Sequence, residues 1–131
     1  MQYRLLLAVI FAISSHQAIA ANQLEHIVFT CKTSKHTILI DTITANTYRY
    51  RAWNLPKSTH LKPDMEVLDG KMKYEGTGIC GSNIYSFKTG NVEFNLDDSV
   101  NCSEEWPPKE AIGNLYVVVG GNEKNHYYCI K

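Results

Sequence analysis

The residue spacing with the strongest formal claim to chemistry is Gly76-Thr77-Gly78-Ile79-Cys80-Gly81, which matches Gly-x-Gly-x-x-Gly. A dinucleotide site needs that loop between a strand and a helix. Here the following residues, Ile84 to Lys88, alternate like a strand, so the glycines read as a bend and no cofactor is expected. The histidines His26, His36, His60 and His126 form neither His-x-x-x-His nor His-Glu-x-x-His, so no metal site is expected. His60, Asp64 and Glu66 share one Pro-containing stretch, a weak acid–base or chelating combination. His60 and His126 could also converge as a hydrolase or nuclease pair. Gly-x-Ser-x-Gly and Ser-x-x-Lys are both absent. The chain therefore reads as a non-enzyme, with a small hydrolase kept as an alternative.

The aromatic residues are a richer resource. Tyr48, Tyr50, Trp53, Tyr74, Tyr85, Trp106, Tyr116, Tyr127 and Tyr128 exceed what one small core hides completely. Half-buried sheet tyrosines account for many of them. Trp53, with Arg51 on the same strand face, and Trp106, in a Pro-rich loop, are candidate anchors for a protein partner or stacking faces for sugar rings.

These groups have to be held by a small fold. The 131 residues allow one domain, and 44% hydrophobic content is ordinary for a globular chain. The 13 basic and 13 acidic residues cancel, so there is no positive field to hold nucleic acid. Residues 1–20 read as a signal peptide: Arg4, an apolar run from Leu5 to Ile13, and Ala18-Ile19-Ala20 before the cut. That run is too short to span a bilayer. The mature domain is then residues 21–131, periplasmic or secreted, with no membrane insertion after cleavage.

Cys31, Cys80, Cys102 and Cys129 form an even set in an exported domain, which implies two disulfides. Three pairings are open. Cys31–Cys129 with Cys80–Cys102 is preferred, because it joins the first and last strands and braces the hairpin between the other two cysteines.

Nearly every segment has strand character. Ile27 to Cys31 and Thr37 to Asp41 are β-branched. Thr47 to Trp53 alternates, with Tyr48, Tyr50 and Ala52 on one face and Arg49, Arg51 and Trp53 on the other. Met65 to Leu68 and Lys71 to Glu75 flank Asp69-Gly70, which reads as a turn. Ile84 to Lys88 and Val92 to Leu96 flank Thr89-Gly90-Asn91, a three-residue hairpin loop. Lys109 to Ile112 could form one helical turn. Leu115 to Val119 and His126 to Ile130 flank a turn over Gly120 to Asn125. The fold expected is all-β, a small antiparallel barrel or sandwich of about eight strands with two disulfides.

The stretch from Tyr74 to Leu96, with its Gly78-Ile79-Cys80-Gly81-Ser82-Asn83-Ile84-Tyr85-Ser86-Phe87-Lys88-Thr89-Gly90 core, resembles the periplasmic and membrane-bound C-type lysozyme inhibitors of Gram-negative bacteria. The resemblance implies an exported eight-stranded antiparallel barrel that places a Ser and a Lys in a lysozyme's cleft. Ser82 and Lys88 are the matching positions, with Tyr85 on the strand between them. Thr89 stands between Lys88 and Gly90 where the family places Gly directly after Lys, and the family's Ser-x-Ser-Gly run is missing. The expected function is an inhibitor or immunity-type protein that blocks a lysozyme or another peptidoglycan hydrolase. Contacts are expected from Ser82, Tyr85, Lys88, Trp53 and Trp106. The alternative is a carbohydrate-binding envelope protein.

Overall fold

The computed structural model describes residues 26–131, and the leader expected over residues 1–20 lies outside them. Eight strands follow one another around a closed antiparallel barrel, each paired with its neighbours in sequence: β1 His26–Lys32, β2 His36–Thr44, β3 Thr47–Asn54, β4 Met65–Glu75, β5 Ser82–Thr89, β6 Val92–Asp97, β7 Ala111–Val119 and β8 Asn122–Ile130. Closure leaves no open sheet edge along most of the circuit. It is thinnest at the β1–β8 seam, where Lys32↔Ile130 is the ladder pair. Cys31–Cys129 crosses that same seam, and both cysteines are fully buried. Cys80–Cys102 is the second disulfide. It ties the β4–β5 connection to the long β6–β7 connection.

Alternation puts one face of each strand inside. Ile38 and Ile40 of β2, Tyr50 and Ala52 of β3, Tyr85 and Phe87 of β5, and Phe94 and Leu96 of β6 fill the barrel. Tyr50 stacks on Phe94, with ring centres 4.9 Å apart, and tilts against Phe87 at 5.5 Å. An eight-stranded barrel is just wide enough for such side chains to occupy its interior.

Four local expectations change. The segment over Met65–Glu75 is one strand, not two around a turn. Asp69 takes a left-handed conformation (φ 60°) inside it. The upper half pairs with β3 and the lower half with β5. The β5–β6 loop is two residues, because Thr89 pairs with Val92. Gly90 takes φ 60° there, as the first position of a tight hairpin turn of the II′ kind demands. The β7–β8 turn is Gly120-Gly121 alone, since Val119 pairs with Asn122. Lys109 and Glu110 form a turn that leads straight into β7, and the helical turn among the described residues is a 3-10 turn at Gly78–Cys80. Among the described residues no helix is long and apolar enough to cross a membrane.

Candidate functional site

The β5–β6 hairpin is built by alternation. Tyr85 and Phe87 point into the core, so Ser82, Ile84, Ser86 and Lys88 fall on the outer face. Ser82, at the start of β5, is buried and donates to the Asp97 carboxylate. Lys88, beside the tip, is exposed and stands opposite Glu93 in the ladder. Ser82 and Lys88 share a face but lie about 20 Å apart, at roughly 3.3 Å per residue.

Two features shape the tip. The Gly120 N–H at the β7–β8 turn donates to the Asn91 carbonyl at 2.9 Å, so one hairpin braces the other. On the opposite side the β4–β5 ladder has its last pair at Lys71↔Ser86. Beyond it the strands part around a notch of about 340 Å³, bordered by Leu68, Asp69, Lys71, Phe87, Lys88 and Glu93. Lys88 makes no ion pair with any described residue, so its ammonium is available to an outside carboxylate.

The three candidate aromatics have three environments. Tyr85 is a core residue, stacked with Phe29 at 6.3 Å and edge-on to Tyr48 at 5.3 Å. Trp53 points out of the barrel, yet is only 1% exposed. The 55–64 loop folds back over it, its indole N–H donates to the Leu61 carbonyl at 2.7 Å, and the Arg51 guanidinium lies 5.6 Å from the ring centre. Trp106 is 99% exposed. It stands in the β6–β7 connection, whose course Cys80–Cys102 restrains. Of the five candidates Lys88 and Trp106 are exposed, while Ser82, Tyr85 and Trp53 are covered. Lys88 and Trp106 sit at opposite ends of β6, so the fold does not bring them together.

The other candidates are also separated. Asp64 accepts from Lys57 Nζ and from the Asn54 N–H, both at 2.8 Å, and the Lys57 hydrogen bond holds its carboxyl below the usual range. Glu66 lies 4.0 Å from Arg49. His60 is in the exposed 55–64 loop, whereas His126 is held on β8. Among the described residues no three His, Cys, Asp or Glu side chains gather to hold a metal ion. Gly78–Cys80 turns into β5, a strand, so the Gly-x-Gly-x-x-Gly spacing serves a bend that carries Cys80 to Cys102.

One group escaped the sequence reading. On the outer face of β7 and β8, Tyr116 and His126 stack at 4.6 Å, and Tyr128 meets His126 edge-on at 4.8 Å. Asn114 Nδ2 donates to the Ser99 carbonyl, which leaves its Oδ1 to accept from His126 Nε2 at 2.9 Å. Burial raises the Tyr116 hydroxyl pKa, with the Asp97 charge adding to it. The signal was present as Asn114-x-Tyr116 and His126-x-Tyr128. Only the register Tyr116↔His126 and Asn114↔Tyr128 joins the two pairs into one stripe.

No protein-family model, curated protein or solved structure matches the chain.

Proposed function

We propose that this is a periplasmic or secreted binding protein that inhibits a cell-wall-degrading enzyme such as a lysozyme, using the β5–β6 tip as a plug. The supporting observation is Lys88, an exposed cation with no ion-pair partner among the described residues, next to a turn braced by a backbone hydrogen bond from the neighbouring hairpin. Hydrolase clefts of this kind work with paired carboxylates. A lysine presented to them gains charge-assisted hydrogen bonds. A closed barrel with two disulfides loses little freedom on docking, which lowers the entropic cost of binding. Two disulfides also fit an oxidising compartment. The test is lysis of purified peptidoglycan by a panel of lysozymes and amidases, with and without the oxidised protein. Inhibition confined to one enzyme class is the expected result; full activity across the panel would contradict the reading.

The Tyr116–His126–Tyr128 stripe favours a second reading, a glycan-binding envelope protein, because a row of half-buried tyrosine rings around an exposed histidine can stack on sugars. Glycan binding lost in Trp106→Ala or Tyr128→Ala, with hydrolases unaffected, would select it.

A further inference from the structure

The lower half of β4 lacks a neighbour on one side. A bulge at Leu68 and Asp69 turns the strand away from β3, and their ladder ends at Tyr48↔Gly70. β3 begins at Thr47, so almost none of it remains to follow. From Lys71 to Glu75 the strand pairs with β5 alone. No described strand pairs on its other side, and no backbone hydrogen bond from another described segment reaches it.

An antiparallel strand directs the N–H and C=O of alternate residues to each side, so these groups face water along the free side. All five side chains are exposed as well. Met72 (40%) and Tyr74 (60%) share the face toward the barrel's mouth, because Met72 stands opposite the inward-pointing Tyr85. Lys71, Lys73 and Glu75 share the outer face. A free edge with exposed apolar residues invites another strand, and lysine is the usual protection against it.

Here that protection fails against one partner. The run Lys71-Met72-Lys73-Tyr74-Glu75 complements its own reverse. A second copy laid antiparallel, with the two-fold axis at Lys73, sets Lys71 opposite Glu75 of the second copy and Met72 opposite its Tyr74, each of these twice. Lys73 alone meets its like, and it is already ion-paired with Glu75 of its own strand. A slip of one residue sets Lys73 against Met72 or Tyr74 and mismatches the faces. A wedge of about 470 Å³ separates Asn46, Thr47 and Tyr48 from Lys71 and Met72, which gives the end of the incoming strand room beside Lys71.

We propose that the free edge of β4 is a homodimer interface, in which two barrels pair antiparallel through Lys71–Glu75 and join into one continuous sheet. Lys88 lies on β5 beyond the paired stretch, so both β5–β6 tips stay free. The interface is independent of whether those tips inhibit a hydrolase.

The test is sedimentation equilibrium of the oxidised protein over a concentration series reaching about 1 mM, because contacts this small are weak. The wild type is expected to pass from monomer to dimer and no further, since a two-fold contact closes on itself. Lys71→Glu or Glu75→Lys sets like charges opposite each other at two places and should weaken the dimer about tenfold or more. The double variant Lys71→Glu/Glu75→Lys restores opposite charges and should regain most of the wild-type association. Lys73→Thr removes the like-charge pair and should strengthen the dimer. All three side chains are exposed, so these variants fold, as circular dichroism checks. A monomer at every concentration overturns the proposal. So does a single charge reversal that dimerises as well as the wild type, or a double variant no stronger than the single ones, because the contact then uses another surface or register.

Discussion

Asp41 has no exposed surface, yet it points out of the barrel and accepts hydrogen bonds from Nε and Nη2 of Arg49, the residue directly opposite it on β3. Arg51 Nη2 adds a third at 3.3 Å. Two guanidiniums thus roof one carboxylate on the β2–β3 face. Removing the carboxylate leaves the two cations without their shared counter-charge, and breaking such a buried group costs about 3 kcal/mol or more. Asp41→Ala is expected to lower denaturant stability by about that amount, while Thr44→Ala, at the exposed end of the same strand, changes it little.

Asp97 carries a pH dependence of opposite sense to the usual paired carboxylate. Burial raises its pKa, and hydrogen bonds from the Ser99 N–H and Ser82 only partly offset this. The folded-state value is therefore above the unfolded one. Between the two, the folded protein holds more protons than the unfolded chain, so stability falls as pH rises through that interval. The interval begins near the ordinary carboxylate value of about 4. Asp97→Asn should flatten this part of the stability profile and gain most above it, as read from denaturation curves at a series of pH values.

The two disulfides should separate experimentally. Cys31 and Cys129 are fully buried, whereas Cys80 and Cys102 are exposed. Mild reductant should open Cys80–Cys102 first and leave the barrel's circular dichroism unchanged. Paired alanine substitutions should cost more at the seam. Cys31–Cys129 closes a span of 98 residues and Cys80–Cys102 one of 22. Loop-closure entropy then gives about 5 and about 3 kcal/mol respectively.

The sequence showed the barrel well and its surface poorly. Alternation in Thr47 to Trp53 sorted Tyr50 and Ala52 inward and Arg49, Arg51 and Trp53 outward, and that is how β3 lies. Both disulfides join the cysteines that the strand order favoured. The burial of Trp53 was not legible, because it depends on a loop that returns to place the Leu61 carbonyl over the indole. The Tyr116–His126–Tyr128 stripe was hidden for another reason: period-two patterns fix the face of each strand but not its register against the next. Asp69-Gly70 carried the chemistry of a turn, but supplies a left-handed residue and a missing side chain inside one continuous strand.

Gly70 shows why that side chain is missing. A Cβ built there would lie 2.0 Å from Cε1 of Phe87, a ring buried in the core. Gly70→Ala should therefore cost about 1–3 kcal/mol, as overpacked cores do. The double variant Gly70→Ala/Phe87→Leu should recover part of the loss, measured by thermal or urea unfolding. Gly90, with open space around its Cβ position, should owe any penalty to its positive φ alone.

The most direct measurement of the inhibitor reading is peptidoglycan lysis with Lys88→Glu and Lys88→Arg set beside the wild type, after confirming that all three unfold at the same denaturant concentration. Lys88 is exposed and unpaired among the described residues, so neither change should disturb the barrel. Charge reversal is expected to abolish inhibition, and arginine to retain part of it, because the positive charge is kept while the planar guanidinium differs in shape from the ammonium. Inhibition by Lys88→Glu equal to that of the wild type would contradict the β5–β6 tip as the plug.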